Sequence, residues 1–208
     1  MSRNKPIDSA FTVGADGWCN NVLRMVSPNF DARPRGAKID LLVVHNISLP
    51  PGKFGGSFIA DLFANRLDYG ADPYFEQLRA LRVSSHFLVR RDGAVLQFVS
   101  ADDRAWHAGA SSFGGREQCN DFSIGVELEG TDFHAFADAQ YETLAGLTLA
   151  LQAGYPLSDV TGHEHIAPGR KTDPGPHFDW SRFQTEYQKA LLRSETLALT
   201  NGVLSFPA

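Results

Sequence analysis

The chain has 208 residues, 43% hydrophobic and 21% charged, with 19 basic against 24 acidic side chains and a net charge of −5. That length and composition suit one globular domain with a core of its own, needing neither a disulfide framework nor a metal merely to fold. The acidic balance argues against a nucleic-acid binder, which grips phosphates with a basic excess or stripe that is missing here.

Residues 1 to about 35 are polar, with Gly, Asp, Asn and Pro scattered through them, and read as an irregular arm. The start, MSRNKPIDSAFTVGADGW, lacks the continuous apolar stretch of a secretory signal, and no later run is long enough to span a bilayer. The expected compartment is therefore the cytoplasm, where Cys19 and Cys119 read as two free thiols. IDLLVVHN (Ile39 to Asn46) is a short apolar run with β-branched residues, the mark of a buried strand. The prolines and glycines of SLPPGKFGG (Ser48 to Gly56) demand a loop. Ser57 is placed to cap a helix through about Arg66, and Asp72 a shorter one through about Leu78.

In SHFLVRRDGAVLQFVS, Asp92-Gly93 between two strand-like runs marks a hairpin. FSIGVELEG (Phe122 to Gly130) alternates: Ile124, Val126 and Leu128 face one side, and Gly125, Glu127 and Glu129 face a second, half-exposed side. A helical period runs from Asp138 to about Ala153, with Tyr141, Leu144, Leu147 and Leu151 on one face. VTGHE then reads as a strand end entering TGHEHIAPGRKTDPG (Thr161 to Gly175), a stretch whose prolines and glycines predict loop and no helix. Asp179 is a good N-cap for a last helix carrying Trp180, Phe183, Tyr187 and Leu191 inward, and the tail beyond Thr196 is weakly patterned. The pattern predicts a mixed α/β fold, a central mixed β-sheet flanked by helices.

Chemistry-bearing residues gather at the strand ends. His45 closes an apolar strand and leads into the Gly/Pro loop; His163 has the same placement after Thr-Gly. Either reads equally as a hydrogen-bonded core histidine or as a group lining a cleft. Asp173 lies ten residues beyond His163, its direction set by the following Pro-Gly. Two histidines and one carboxylate leave a fourth tetrahedral zinc position for water, the layout of a catalytic site. His165 is the decoy of the loop: His163-Glu164-His165 resembles a chelating pair, but it is not the helical H-E-x-x-H motif. Of Glu127 and Glu129, one suffices as a general base. Lys171 is either a solvated loop cation or a group that stabilises a developing oxyanion. Trp106-His107-Ala108-Gly109 reads as a packed strand or a cleft wall, and no nucleophile elbow or phosphate-binding glycine loop is present.

Four separate segments, LLVVHNISLPPGKFGG, LRVSSHFLVRRDG, AWHAGASSFGGREQCNDFSIGVELEGTD and TGHEHIAPGRKTDPGPHFDW, together resemble the AmpD-type anhydro-N-acetylmuramoyl-L-alanine amidases of peptidoglycan recycling. More distantly they are similar to phage lysozyme-type amidases and peptidoglycan recognition proteins. The resemblance implies a zinc-amidase domain over residues 17–195, with an arm at 1–16 and a tail at 196–208. It implies zinc ligands His45, His163 and Asp173, a catalytic pair Glu127 and Lys171, and substrate contacts at Asn46, Arg82, Trp106 and Tyr74. Where a second arginine is usual in the family this chain has Gln118, for which Arg116 is the nearby substitute. The implied substrate is an anhydro-muropeptide, with no nucleic-acid, membrane or obligate protein partner. A broader amidase acting on intact wall, or a muropeptide-binding protein without catalysis, are the alternatives.

Overall fold

A computed structural model describes residues 11–194 and 203–207. The two long apolar runs are strands β3 (Leu41–Ile47) and β9 (Ser123–Glu129), paired in parallel through seven residues at the centre of a six-stranded mixed sheet. On one flank of β3 lies β10 (Asp159–Gly162), also parallel. On the far flank of β9 lie β4 (Phe87–Val89), parallel to it, and β5 (Val95–Gln97), antiparallel to β4 across the expected Asp92-Gly93 turn.

The polar N-terminal stretch is not irregular throughout. β1 (Leu23–Arg24) adds an edge to β5, and β2 (Phe30–Asp31) pairs with β6 (Arg104–Ala105). Two-residue strands carry no alternation, so periodicity could not reveal them. A small hairpin, β7 (Ser112–Phe113) with β8 (Arg116–Glu117), stands outside the sheet.

Helices cover both faces. Leu42 and Val44 of β3, with Ile124, Val126 and Leu128 of β9, pack against α2 (Asp138–Gly154) and α4 (Trp180–Arg193) through Leu144, Leu147, Leu151, Phe183 and Tyr187. Asp179 caps α4 by accepting from the Arg182 amide at 2.9 Å. The opposite face meets α1 (Phe58–Phe63) and a 3₁₀ turn (Pro73–Leu78) capped by Asp72, through Ile59, Phe63, Phe75, Leu88 and Leu96. α1 stops short of the expected Arg66 because Asn65 turns into the left-handed region at φ 56°.

Two further expectations are corrected. The Glu127 face of β9 is not half exposed: His107 packs over Gly125 and the Gly55 and Arg91 amides close on Glu129, leaving Glu127 8% and Glu129 3% accessible. The stretch after β10 does contain a helical turn, α3 (His163–Ile166), because Pro168 and Gly169 come too late to prevent it.

The described part of the C-terminal tail is built into the domain. Ser205 extends the β10 edge, with Val160 N donating to Ser205 O at 2.8 Å, and Leu204 is 2% exposed within the α2–α4 core. The remaining tail residues, and residues 1–10 of the arm, lie outside the described residues. Leu204→Ala is expected to cost about 2–4 kcal/mol by urea unfolding. Val203→Ala, at a position 95% exposed, should leave the midpoint unchanged.

Candidate active site

The parallel strands β3, β9 and β10 bring their C-terminal ends to one rim, the usual place for a ligand crevice in such sheets. His45 is the direct ladder partner of Glu127, which puts their side chains on the same face of the sheet. Gly162 is the partner of Val44, so the next residue, His163, arrives beside His45. Gly162 has to be small: a Cβ there would meet Pro174 Cδ at 2.8 Å. That close contact presses the Asp173 loop onto the strand end. Glu164 N then donates to Asp173 O at 2.8 Å and ties the loop to α3.

The result is a group of three potential ligand atoms, from His45, His163 and Asp173, all within 4.8 Å of one another. His45 Nδ1 lies 2.9 Å from Asp173 Oδ2 and 3.0 Å from His163 Nδ1, and His163 Nδ1 lies 3.0 Å from the same carboxylate oxygen. Burial pulls the His45 imidazole down to about 4, against the opposing pull of the nearby Asp173 carboxylate, so it is neutral at pH 7. Burial pushes Asp173 up, but the close approach of His163 and His45 to its Oδ2 outweighs this and holds it well below the ordinary carboxylate value. A neutral imidazole beside an ionised carboxylate is the protonation state that metal ligation requires. Each histidine also presents its outer nitrogen to a partner: His163 Nε2 is 3.0 Å from Ala108 O, and His45 Nε2 is 3.0 Å from His107 Nδ1. These residues fit a metal of the zinc type.

Glu127 is buried, and its Oε2 has no hydrogen-bond partner among the described residues. Desolvation raises its pKa well above the usual glutamate range; the Asp173 charge adds to this and Lys171 opposes it. Glu129 differs. Its carboxylate accepts from Gly55 N at 2.6 Å and Arg91 N at 3.2 Å, which engages it in holding the loops. Lys171 is exposed on the wall of an open cleft of about 490 Å³, lined also by Asn46, Asp132, Phe133, Arg170 and Asp173.

The remaining sequence-based candidates are scattered. Asn46 donates to Asp132 Oδ1 at 2.6 Å and Pro174 O at 3.0 Å on the cleft wall. Trp106 is half-buried, its indole Nε1 buried without an acceptor among the described residues. Tyr74 and Arg82 are exposed, Arg82 donating to Arg79 O and Leu81 O. Arg116 is not brought to the cleft. It pairs with Asp40 at 2.9 Å and stacks on Phe122, at the start of β3, five residues or about 16 Å of strand from His45. His165 takes no part in the group: its Nδ1 accepts from Gly162 N at 3.1 Å and its ring leans on Trp180.

Three groups behind the site, the buried His107 and His86 and the half-buried Arg33, carry no role in the sequence pattern. His86 Nδ1 accepts from Gly125 N at 3.0 Å, and Arg33 donates to four backbone carbonyls, Asn120 O, Asp121 O, Ala101 O and Ser123 O. The available signal was Gly125, a glycine interrupting a clean strand, which marks a close approach from outside.

This cluster makes the metal-free fold acid-sensitive. Burial keeps His45, His86 (about 3) and His107 below their ordinary 6.5, so on unfolding each takes up a proton beneath that pH. Glu127 works in the opposite direction above its ordinary 4.5. A net uptake of about two protons makes stability fall by roughly 2–3 kcal/mol per pH unit between 6 and 5. Urea midpoints of chelator-treated protein at the two pH values measure this, and equal midpoints would contradict it.

A sequence model of the N-acetylmuramoyl-L-alanine amidase family matches residues 35–176. With its mixed sheet and rim of ligand-type residues, the chain belongs to that family. Among its relatives is the 1,6-anhydro-N-acetylmuramyl-L-alanine amidase AmpD of Citrobacter freundii, 57% identical over 171 residues, 81% of this chain and 91% of the relative. The crystal structure of a selenomethionine AmpD derivative superposes with a TM-score of 0.81 at 55% identity, covering 84% of this chain and 99% of that one. The amidase AmiD of Escherichia coli, solved with anhydro-N-acetylmuramic acid-L-Ala-D-γ-Glu-L-Lys, superposes with a TM-score of 0.53 at 29% identity, covering 85% of this chain and 65% of AmiD.

Proposed function

We propose that this protein is a zinc-dependent amidase. It hydrolyses the amide between the lactyl group of 1,6-anhydro-N-acetylmuramic acid and L-alanine of muropeptides, in cytoplasmic peptidoglycan recycling. The observation that carries this reading is the His45–His163–Asp173 group, with Glu127 buried beside His45 and Asp173 lining an open cleft. The 57% identity to AmpD supports the choice of substrate.

His45, His163 and Asp173 would hold the zinc. A zinc ion supplies Lewis acidity, polarising the scissile carbonyl and making a water easier to deprotonate. Glu127, with its raised proton affinity, takes the proton of the attacking water and passes it to the departing alanine nitrogen. Lys171 places an ammonium at the cleft wall to offset the charge developing on the carbonyl oxygen. Asn46 on the cleft wall is a contact for the bound muropeptide; the Trp106 indole N–H is buried, and Tyr74 and Arg82 face solvent. Arg116 stays with Asp40 and has no part in this scheme.

Initial rates on anhydro-muramoyl tripeptide and its non-anhydro counterpart test the assignment. The recycling role predicts release of tripeptide from the anhydro form alone. Equal rates would shift the assignment to a general wall amidase, and binding of both without cleavage to a muropeptide-binding protein.

A further inference from the structure

One imidazole lies between His45 and the backbone of β9 and takes no part in the chemistry just described. His107 is buried with its ring over the Cα of Gly125, where a Cβ would meet its Cγ at 2.5 Å and its Nδ1 at 2.6 Å. Its Nδ1 lies 3.0 Å from His45 Nε2, and its Nε2 lies 3.2 Å from Ser123 Oγ. Ser123 Oγ in turn lies 2.5 Å from Cys119 O.

These contacts set a direction. A carbonyl only accepts, so Ser123 spends its single hydroxyl hydrogen on Cys119 O. Its oxygen is then left to accept from His107 Nε2–H. A neutral imidazole carries one N–H, so His107 Nδ1 is an acceptor and draws the hydrogen of His45 onto Nε2. His45 Nδ1 is thereby left bare where it faces His163 Nδ1 and Asp173 Oδ2. His86 does not compete for this role, because its own Nδ1 is taken by the Gly125 amide.

The next residue does the same for the second histidine: Ala108 O lies 3.0 Å from His163 Nε2 and accepts its hydrogen. Both members of the dipeptide are pinned from behind by one side chain. Asn120 Oδ1 accepts from His107 N at 3.1 Å and Ala108 N at 2.8 Å. We infer that the His107-Ala108 dipeptide, anchored by Ser123 and Asn120, is a positioning device that turns the Nδ1 atoms of His45 and His163 toward the metal group. His107 is the side chain on which it depends. The inference rests on reading His45, His163 and Asp173 as metal ligands, and it gives Gly125 its reason: any larger residue would push His107 out of line.

The test is a zinc dissociation constant, by competition with a chromophoric chelator, for wild type, His107→Leu, His107→Asn and Ser123→Ala. His107→Leu should bind zinc about 10–100-fold more weakly. His107→Asn, whose amide oxygen reaches the place of Nδ1, should recover most of the loss. Ser123→Ala, the mildest change in shape, should weaken binding in the same direction and serves if the leucine variant does not fold. Long-range proton–nitrogen NMR on the zinc-loaded wild type should show His45 protonated at Nε2. A wild type that takes up no zinc removes the metal reading, and this inference with it. A wild type that binds zinc while folded Leu and Ala variants bind equally well overturns the positioning role and leaves the metal reading standing. His45 protonated at Nδ1 in the loaded protein also overturns it.

Discussion

Glu127→Gln is expected to lower kcat by about 10²- to 10⁴-fold, the contribution of a positioned general base, while zinc stoichiometry stays that of the wild type. The separation of the two effects follows from the geometry. Glu127 is outside the three-residue ligand group, so its loss removes the proton acceptor and leaves the ligands intact. The same substitution should stabilise the metal-free fold. A carboxyl with a raised pKa and an unpartnered oxygen is costly to bury at neutral pH, and a neutral amide is less so. The sign follows from linkage. Below the ordinary value of 4.5 the glutamate is protonated in both folded and unfolded chains, and the variant has no advantage. Above it the unfolded chain ionises and the folded one resists, so the advantage of glutamine grows with pH until the folded group also ionises. A gain of about 1 kcal/mol would appear as roughly 2–4 °C in Tm for a chain of this size. Wild-type turnover in the variant would remove Glu127 from the mechanism.

Asp173→Ala should behave in the opposite way, losing metal and activity together. Removing the carboxylate leaves two imidazoles and takes away the only negative charge in the ligand group. Four-ligand zinc sites are worth about 10–16 kcal/mol, or roughly 3 kcal/mol per ligand, so zinc should bind about 10²-fold more weakly. Metal analysis after dialysis, set beside the kcat of the same sample, separates this variant from Glu127→Gln. An Asp173→Ala protein retaining full zinc and full activity would mean that the ligand set is wrong.

Much of the fold was legible because its signals are local. The apolar runs of β3 and β9, the Asp92-Gly93 turn and the Asp179 cap each state their structure within a few residues. The three candidate ligands could be singled out because two histidines end apolar strands and a Pro-Gly follows the aspartate. What stayed hidden depends on contacts between distant segments. The burial of the Glu127 face depends on His107 and on the loops at Gly55 and Arg91, which no property of β9 foretells. Leu204 looks like any tail leucine until the β10 edge recruits its neighbour Ser205. Arg116 stands near Gln118 in sequence, whereas its position is decided by Asp40 across the fold. The α3 turn is short enough for the later Pro168 and Gly169 to mask it in any windowed reading.

The central claim is that the metal group of this chain serves hydrolysis of the lactyl–alanine amide. The most direct measurement is a mass spectrum of anhydro-muramoyl tripeptide after incubation with the protein in isotopically labelled water, with chelator, without it, and with zinc restored. Free tripeptide and labelled anhydro-muramic acid carboxylate are expected, abolished by chelator and recovered with zinc. Intact substrate after incubation with zinc-loaded protein, or tripeptide release that chelator does not affect, would contradict it.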